Sequence, residues 1–348
     1  MNEIVNSSDV LKPMYKTGFI EDRNVQQYYG HGKLLLSGEY FVMDGAQSLA
    51  LPTKVGQSMS VKYSASFDPI LHWKSFDVNG VLWFEARFEF WRFDCLDPNP
   101  SKEILLLQKI LRQARKQNSH FLRENNDVQV ENHLGFPLEW GLGSSSTLIY
   151  NIAQWAYISP FELFFQTNNG SGYDIACAQS EGPILYSKNQ TGPNWSPTHF
   201  CPDFKDSIFF IYLGNKQETS SAIEYYKSLS PFKPEIIQSL SSITEEMLTC
   251  KSLEEFEFLI LAHENIISKA LDLKTAKELY FPDYCGEIKS LGAWGGDFIM
   301  ATSHKSFLET AEYFDKLGFP IVIPFDDIIL QDHPKLNKHI EDNERILQ

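Results

Sequence analysis

The chain has 348 residues, of which 43% are hydrophobic and 14% aromatic, and its formal net charge is −15. This length is large for one hydrophobic core, so the composition predicts a globular enzyme with two domains or one large one, and excludes wholesale disorder. The acidic balance argues against nucleic acid or an anionic membrane as the main partner, because both require clustered Lys and Arg, whereas a small anionic substrate needs only local positive charge.

The cysteines and the N-terminal residues indicate the compartment. The five cysteines are far apart, odd in number and contain no C-x-x-C pair, a usage typical of reduced thiols in a cytosol. Residues 1–27 are polar and lack the features of signal and transit peptides, so we expect an extension before the first strand. No apolar run approaches the roughly 18 to 20 residues of a membrane span. We therefore expect a cytoplasmic protein that binds neither membrane nor nucleic acid.

Short apolar runs predict buried strands in the first part of the chain. Residues 33–36 form one such run, and residues 49–51 form another, which we expect to end at Pro52. Residues 58–94 alternate in polarity and are rich in Val, Tyr, Phe and Trp. Asn79-Gly80 lies between two of these runs and is a strong hairpin signal, so a meander of strands is predicted.

Helical periodicity follows these strands. Apolar residues recur at helical spacing within residues 101–117, behind a Ser101 cap. A second helix is predicted to start at the serines of residues 144–146. Beyond about residue 187 the pattern restarts, with strands predicted at 207–213 and 297–302 and helices at 219–229 and 233–272.

The segment Trp140–Ser146 (WGLGSSS) leads from two glycines directly into an apolar, periodic helix. Glycines let the backbone approach a ligand, and a helix N-terminus presents free N–H groups and a positive dipole end, so an anion is expected here. The three hydroxyls add donors for phosphate oxygens and a ligand for Mg²⁺. An ordinary serine N-cap after a glycine turn is the alternative. The segment is neither a Walker A loop, since no lysine follows, nor a G-x-S-x-G nucleophile elbow.

Three further segments carry one candidate each, and their local alternatives stay open. In residues 30–40, Lys33 lies between glycines and a buried strand, although a lone lysine is usually a solvated charge. In residues 169–176, Asp174 follows flexible glycines, where an aspartate also serves as a turn or cap residue. Residues 291–298 (LGAWGGDF) form a glycine-rich loop before a strand, which a tight turn also explains.

The order and spacing of these segments resemble the GHMP kinases, the superfamily of galactokinase, homoserine kinase, mevalonate kinase and phosphomevalonate kinase, from about residue 28 to the 290s. The superfamily motifs are P-G-K…G-E-H or G-E-Y, G-x-x-x-L-A-x-P, G-L-G-S-S, S-G-x-D and G-A-G-G-G. Their counterparts here are, in order, Gly32-Lys33 with Gly38-Glu39-Tyr40, Gly45–Pro52, Gly141–Ser145, Ser171–Asp174 and Gly292–Gly296. The G-E-Y form and Gly170–Gly172 look closest to the mevalonate and phosphomevalonate kinase branch, within a bacterial subgroup named for Gly172–Ala176.

The sequence departs from the superfamily pattern at three places. His31 stands where a proline is usual, and Trp294 replaces a glycine of the last loop. The interval from Ser144 to Asp174 is shorter than in relatives, so the glutamate that binds Mg²⁺ in those proteins lacks a secure counterpart. Glu162 is the nearest candidate for that ligand.

The resemblance implies an α+β protein with the GHMP kinase fold. Residues 28–187 would form the N-terminal ATP-binding domain, which is similar to domain 2 of ribosomal protein S5. Residues 188–348 would form a C-terminal, ferredoxin-like α/β domain. Residues 1–27 would precede both as an extension.

The resemblance also implies the roles of single residues. Asp174 would be the catalytic base, and Lys33 would stabilise developing negative charge and lower the pKa of the neighbouring carboxylate. The other implied assignments are ATP phosphates held by Gly141, Leu142, Gly143, Ser144, Ser145 and Ser146, Mg²⁺ held by Ser145 and Glu162, and acceptor contacts from Glu39, Gly172, Tyr173 and Trp294. Glu39 would orient the site rather than react, and Trp294 would narrow the acceptor pocket.

The implied activity is transfer of the γ-phosphoryl group from ATP, with Mg²⁺, to a small-molecule alcohol or phosphate acceptor, with mevalonate and phosphomevalonate as the first candidates. The alternatives are a diphosphomevalonate decarboxylase-like lyase and a catalytically inactive, kinase-like binding protein. The absence of arginine between Asn151 and Ile208 counts against the lyase, and the joint presence of Lys33, Ser145 and Asp174 counts against an inactive protein. The oligomeric state stays open, with a homodimer as one option.

Overall fold

A computed structural model gives the fold of the chain. It describes residues 25–123, 126–214, 219–229, 231–292, 294 and 296–331. The predicted N-terminal extension therefore falls almost entirely outside the described residues.

The described residues form two antiparallel-rich sheets with helices packed against them. The strands are β1 (Val25–Leu35), β2 (Ser48–Ala65), β3 (Ile70–Phe76), β4 (Leu82–Glu89), β5 (Asn126–Leu134), β6 (Ile184–Asn189), β7 (Gly192–Pro197), β8 (Ile208–Tyr212), β9 (Ile288–Ser290), β10 (Phe298–Thr302) and β11 (Val322–Pro324). The helices are α1 (Lys102–Gln117), α2 (Ser144–Ala156), α3 (Pro160–Thr167), α4 (Tyr173–Ala178), α5 (Thr219–Leu229), α6 (Pro234–Thr249), α7 (Leu253–Leu271), α8 (Ala276–Tyr280), α9 (Phe307–Lys316) and α10 (Phe325–Ile328).

The first sheet has the order β4-β3-β5-β2-β6-β7 within the described residues, with β1 paired to β2. Strand β2 continues through Pro52, so the predicted end of a strand at this proline is wrong. Lys33 of β1 lies opposite Pro52, and the pairing register shifts between His31 and Lys33. An irregularity of this kind accommodates the missing N–H donor of a proline inside a sheet.

The hairpin predicted at Asn79-Gly80 is confirmed as the β3–β4 connection. Gly80 has a φ of 78°, a left-handed conformation that glycine adopts without a steric penalty. Helix α1 is also confirmed, and its Ser101 side chain accepts a hydrogen bond from the Ile104 N–H. Helices α1, α2 and α3 pack on this sheet over a core whose largest buried side chains include Trp73 and Phe88.

The second sheet has the order β11-β8-β10-β9 in the described part of the chain. Strands β8 and β10 confirm the two strands predicted near residues 207–213 and 297–302. The single helix predicted at 233–272 is instead two helices, α6 and α7. The break occurs because Ser252 starts a new helix by accepting a hydrogen bond from the Glu255 N–H at 3.2 Å.

A second large hydrophobic core lies between the two sheets. It contains Leu51 and Leu134 of the first sheet, Phe210 and Met300 of the second, and Phe256 of α7. The first sheet ends at Pro197, whereas the division of the chain at residue 187 stays a prediction. Among the described residues, no helix combines the length and apolar character needed to cross a membrane.

The Ser252 cap predicts a measurable loss of stability on mutation. Ser252→Ala removes the acceptor for the first turn of α7 and should lower the free energy of unfolding by about 1 kcal/mol. Ser252→Asp keeps an acceptor and should restore most of it. Urea unfolding of the three proteins measures the difference, and an unchanged midpoint in Ser252→Ala would contradict the capping role.

Candidate active site

A cavity of about 560 Å³ lies where the first sheet, α2, α4 and α5 meet the loop that leads into β10. It brings together most of the residues that the sequence singled out. Those that line it are Lys33, Gly141, Gly143, Ser144, Ser145, Ser146, Tyr173 and Asp174. Leu142 and Gly172 do not line it: the Leu142 side chain lies in the core, and Gly172 is the residue that precedes α4.

The glycine loop ends in the N-terminus of α2. Gly141 and Gly143 have φ values of 63° and 93°, which only glycine adopts easily. Gly143 is the N-cap residue, and it provides no side chain to bind the first N–H groups of the helix. The serine N-cap alternative is therefore wrong, because the helix starts at Ser144 and its serines occupy the first turn. Free backbone donors and hydroxyls here face the cavity, which suits an anion.

Lys33 joins the first motif to this loop. It lies at the end of β1, and its backbone N–H donates to the Leu142 carbonyl at 3.0 Å. Its side chain packs against the backbone of Gly143, where an added Cβ would come within 3.2 Å of the Lys33 Cγ. The ammonium lies 5.8 Å from the centre of the Tyr173 ring. The lysine is thus held inside the site rather than solvated at the surface.

Asp174 lies in the first turn of α4 and is fixed from two sides. Its Oδ2 accepts a hydrogen bond from the Ser146 hydroxyl of α2. Its Oδ1 accepts a hydrogen bond from the Ile175 N–H at 3.1 Å. The carboxylate therefore has a fixed orientation at the cavity, next to the helix that follows the glycine loop.

Burial controls the charges of this pair. It raises the pKa of Asp174 above its ordinary value, against the hydrogen bond from Ser146 and the field of Lys33, which lower the pKa. Burial likewise lowers the pKa of Lys33, against the fields of Asp174 and Asp297. The expected lowering of the Asp174 pKa is wrong, because desolvation outweighs a lysine that forms no ion pair with it within 4.0 Å among the described residues.

Asp297 is a second carboxylate of the site, and sequence reasoning did not select it as a functional residue. Its side chain lines the cavity and contacts Gly141 so closely that a Cβ at Gly141 would overlap the carboxylate. Its carbonyl accepts a hydrogen bond from the Leu213 N–H at 2.9 Å, which fixes the start of β10. The available signal was an acidic residue directly between a glycine-rich loop and a strand.

Glu39 is not an acceptor-binding residue, which corrects the sequence expectation. Its side chain is fully buried, and its Oε1 lies 2.6 Å from the Lys289 Nζ. Lys289 also lies 3.1 Å from Glu264, and the His263 Nε2 accepts a hydrogen bond from the Gly38 N–H. Burial raises the pKa of Glu39 to about 7, against the favourable field of Lys289. Glu39 anchors the turn whose next residue, Tyr40, does line the cavity.

Trp294 does not line the cavity either. Only 6% of its surface is exposed, and it packs with Phe41 and Tyr226 in a core cluster. Its indole N–H donates to the Lys274 carbonyl at 3.0 Å. The expectation that this ring narrows the acceptor pocket is therefore wrong, because the ring points into the protein. The Trp294 backbone has a φ of 52°, in the left-handed region.

Glu162 lies outside the cavity, so the structure does not bring this expected magnesium ligand to the other site residues. It is exposed in the first turn of α3, and its Oε1 accepts a hydrogen bond from Gln166 at 3.1 Å. Within the described ranges there is no group of three or more His, Cys, Asp or Glu suited to a metal ion. The oxygen donors nearest the glycine loop are the serine hydroxyls of α2 and the carboxylates of Asp174 and Asp297. This oxygen-only set fits Mg²⁺, which needs few protein ligands when phosphates supply the others.

No protein-family model and no curated protein matches the sequence. Solved structures do match the fold. The L. major mevalonate kinase in complex with R-mevalonate has a TM-score of 0.58 and 14% identity, over 88% of this chain and 93% of that chain. The Streptococcus pneumoniae phosphomevalonate kinase in complex with phosphomevalonate and AMPPNP has a TM-score of 0.61 and 18% identity, over 84% of this chain and 97% of that chain. The Lactococcus lactis galactokinase complexed with galactose has a TM-score of 0.60 and 12% identity, over 91% and 95%.

The fold is that of the GHMP kinases. The expected α+β class is confirmed, whereas the finer likeness of the two halves to ribosomal protein S5 and to ferredoxin stays a prediction. Identities of this size establish a shared architecture and leave the chemistry to be argued from the site.

The buried Lys289 predicts a strong dependence of stability on its charge. Lys289→Met leaves two buried carboxyl groups without their cation and should lower the free energy of unfolding by about 3–5 kcal/mol. Adding Glu39→Gln should recover part of the loss, because less uncompensated charge is then buried.

Urea unfolding measures both variants of this network. Lys316→Met is the matched control, since Lys316 forms only an exposed pair with Glu312 on α9 and should change stability by about 0.5 kcal/mol or less. Equal losses for Lys289→Met and Lys316→Met would contradict the buried network.

Proposed function

We propose that the protein is an ATP-dependent small-molecule kinase that transfers the γ-phosphoryl group to an alcohol or phosphate acceptor. The observation that carries this proposal is the convergence of three motifs on one cavity: the glycine loop with the N-terminus of α2, Lys33 and Asp174. Phosphoryl transfer depends on the positioning of the reactants and on the neutralisation of negative charge. Each of these three groups can contribute to one of these two requirements.

The glycine loop is the proposed site of the ATP phosphates. Helix α2 spans 13 residues, so its aligned peptide dipoles place a positive end at Ser144. A side chain at Gly141 would collide with the Asp297 carboxylate and one at Gly143 would crowd the Lys33 side chain, so glycine at both positions lets these two charged groups lie against the loop. Ser145 is exposed to the cavity and is the proposed hydroxyl ligand of the metal. Bound Mg²⁺ would neutralise charge on the transferred phosphoryl group.

Asp174 is the proposed base. Its carboxylate would accept the proton of the acceptor hydroxyl as the oxygen attacks the γ-phosphorus and the bond to the ADP oxygen breaks. The hydrogen bond from Ser146 orients the carboxylate and favours its charged form. Lys33, packed against Gly143, would stabilise the negative charge that passes between the acceptor oxygen and the phosphoryl group.

Mevalonate and phosphomevalonate are the proposed first candidates for the acceptor. Two of the matching structures contain these compounds, and the G-E-Y and G-S-G segments of the sequence look closest to that branch. Membership of the subgroup named for Gly172–Ala176, a cytoplasmic location and a homodimer stay predictions. No observation in the structure favours the decarboxylase or the inactive binding protein over the kinase.

The base assignment predicts the kinetics of three variants. Asp174→Asn keeps shape and removes the base, so kcat should fall by roughly 10² to 10⁴-fold while ATP affinity hardly changes. Lys33→Met should cost a similar factor. The double variant should lose less than the product of the two factors, because both residues act on one oxygen.

Single-turnover rates and nucleotide binding, measured on all three variants with the same acceptor, separate chemistry from binding. Near-normal kcat in Asp174→Asn would remove this residue as the base. Nucleotide binding without any turnover in the unmodified protein would instead make the inactive, kinase-like binding protein the better description.

The raised pKa of Asp174 predicts the acid limb of the pH profile. The base form exists only above the pKa, so kcat should fall as the pH decreases through a value above the ordinary aspartate pKa. Ser146→Ala removes a hydrogen bond that lowers this pKa, so the acid limb should move to higher pH. A limb that stays in place in Ser146→Ala would show that another group titrates.

A further inference from the structure

Three elements other than the glycine loop also line the cavity: the turn after β1, the loop before α4, and helix α5. The residues they contribute are Tyr40, Val42 and Met43 from the turn, Gly170 and Ser171 from the loop, and Ala222, Ile223, Glu224 and Lys227 from the helix. Since the glycine loop holds the phosphates in the proposed function, the acceptor occupies this other side of Asp174.

Helix α5 is docked so that Lys227 faces this region. Tyr226, the residue before Lys227, is buried, and its ring stacks on Tyr40 with 5.5 Å between ring centres. The Tyr226 hydroxyl donates to the Asp44 carboxylate at 2.5 Å. These contacts fix the register of the helix and place the next side chain, Lys227, at the cavity.

A second lysine approaches the same region from the first sheet. Lys188, on β6, is half-buried, and its Nζ lies 3.5 Å from the carbonyl oxygen of Gly170 on the cavity wall. This distance exceeds that of a strong N–H···O hydrogen bond, so the ammonium can turn to a better acceptor at little cost. The ammonium also lies 4.6 Å from the centre of the Phe165 ring, which holds the side chain beside the loop.

The charge of Lys227 acts on Lys188. Burial lowers the pKa of Lys188, and the charge of Lys227 lowers it further. Neither lysine forms an ion pair within 4.0 Å with a carboxylate of the described residues. The carboxylate that lines this end of the cavity is Glu224, one helical turn before Lys227, and Asp44 is held by the Tyr226 hydroxyl. Two neighbouring cations with this sparse compensation favour an anion between them.

We propose that Lys227 and Lys188 form a subsite for an anionic group of the acceptor, a carboxylate or a phosphate remote from the oxygen that is phosphorylated. The acceptor is then an acid or a phosphate ester rather than a neutral sugar. This inference rests on the proposed kinase function and adds the class of acceptor to it. It also separates the acceptors of the matching structures, since galactose is neutral whereas mevalonate and phosphomevalonate are anionic.

Equilibrium binding tests the subsite independently of turnover. Calorimetry of the full chain with AMPPNP should show binding of mevalonate or phosphomevalonate and weaker binding of galactose. Lys227→Met and Lys188→Met should each weaken binding of the anionic acceptor by about tenfold or less, as for loss of one charge-assisted contact at an exposed or half-buried lysine. Preference for phosphomevalonate over mevalonate identifies the anion as phosphate, and equal affinity identifies it as carboxylate.

Two matched variants distinguish electrostatics from packing. Glu224→Gln removes the opposing charge and should tighten binding of the anionic acceptor, whereas a steric role would give weaker or equal binding. Lys227→Arg keeps the charge and should retain most of the affinity. Lys316→Met, on the surface of α9, is the charge control and should leave the affinity unchanged.

The outcomes separate failure of the subsite from failure of the kinase. If AMPPNP binds and galactose binds as tightly as either anionic compound, or if Lys227→Met and Lys188→Met leave anion affinity unchanged, the subsite is overturned and the kinase is not. If AMPPNP itself does not bind, the proposed function fails, and the inference fails with it. Binding of the anionic acceptors that weakens in both lysine variants supports the subsite.

Discussion

The buried contact between Glu39 and Lys289 connects the two halves of the structure. Glu39 follows β1 of the first sheet, and Lys289 lies on β9 of the second, 2.6 Å away and excluded from solvent. The free-energy cost of removing the two charges from water cancels much of the energy gained from their attraction. The pair therefore contributes more to fixing the relative position of the two segments than to stability. The arrangement it defines is the cavity, because Tyr40 and Gly292, close along the chain to the two partners, both line it. Helix α5 is in turn positioned by the ring of Tyr40.

The same exclusion of solvent sets the chemistry of the site. In water, a lysine beside an aspartate would keep the aspartate ionised. Here burial raises the pKa of Asp174 and lowers the pKa of Lys33, so the two pKa values move towards each other. A group balanced in this way exchanges a proton more readily than a fully stabilised carboxylate does, which suits a general base. The hydrogen bond from Ser146 links the Asp174 carboxylate to α2, the helix that follows the glycine loop.

Local patterns allowed much of the fold to be predicted from the sequence. The Ser101 cap, the Asn79-Gly80 hairpin and the glycine loop before α2 each depend on neighbouring residues, and each was found as expected. The strand through Pro52 was missed because a bulge in the partner strand accommodates the proline, and no local signal reports a partner. The break at Ser252 was missed because apolar periodicity continues on both sides of the cap.

The site was less predictable than the fold, for a physical reason. A motif identifies which residue types lie near one another in sequence but does not state which way each side chain points. Glu39 and Trp294 both lie within motifs. Glu39 pairs with Lys289, which is 250 positions away in the sequence, whereas Trp294 packs into a hydrophobic core. Asp297 and Lys227 line the cavity without a distinctive local pattern, because their positions follow from the docking of β10 and α5.

The distribution of charge along the cavity explains how an acidic protein can hold anionic substrates. At the nucleotide side, Asp174 and Asp297 both face Lys33, so carboxylates outnumber the lysine. A triphosphate placed beside them is repelled unless a divalent cation accompanies it, and this is why the proposed nucleotide is the magnesium complex. At the proposed acceptor side the balance is reversed: Lys227 lines the cavity together with Glu224, and Lys188 lies behind the wall, beside the Gly170 carbonyl. Under the proposed function, a metal-bound nucleotide would therefore lie beside Lys33 and a metal-free anion beside Lys227, on either side of Asp174.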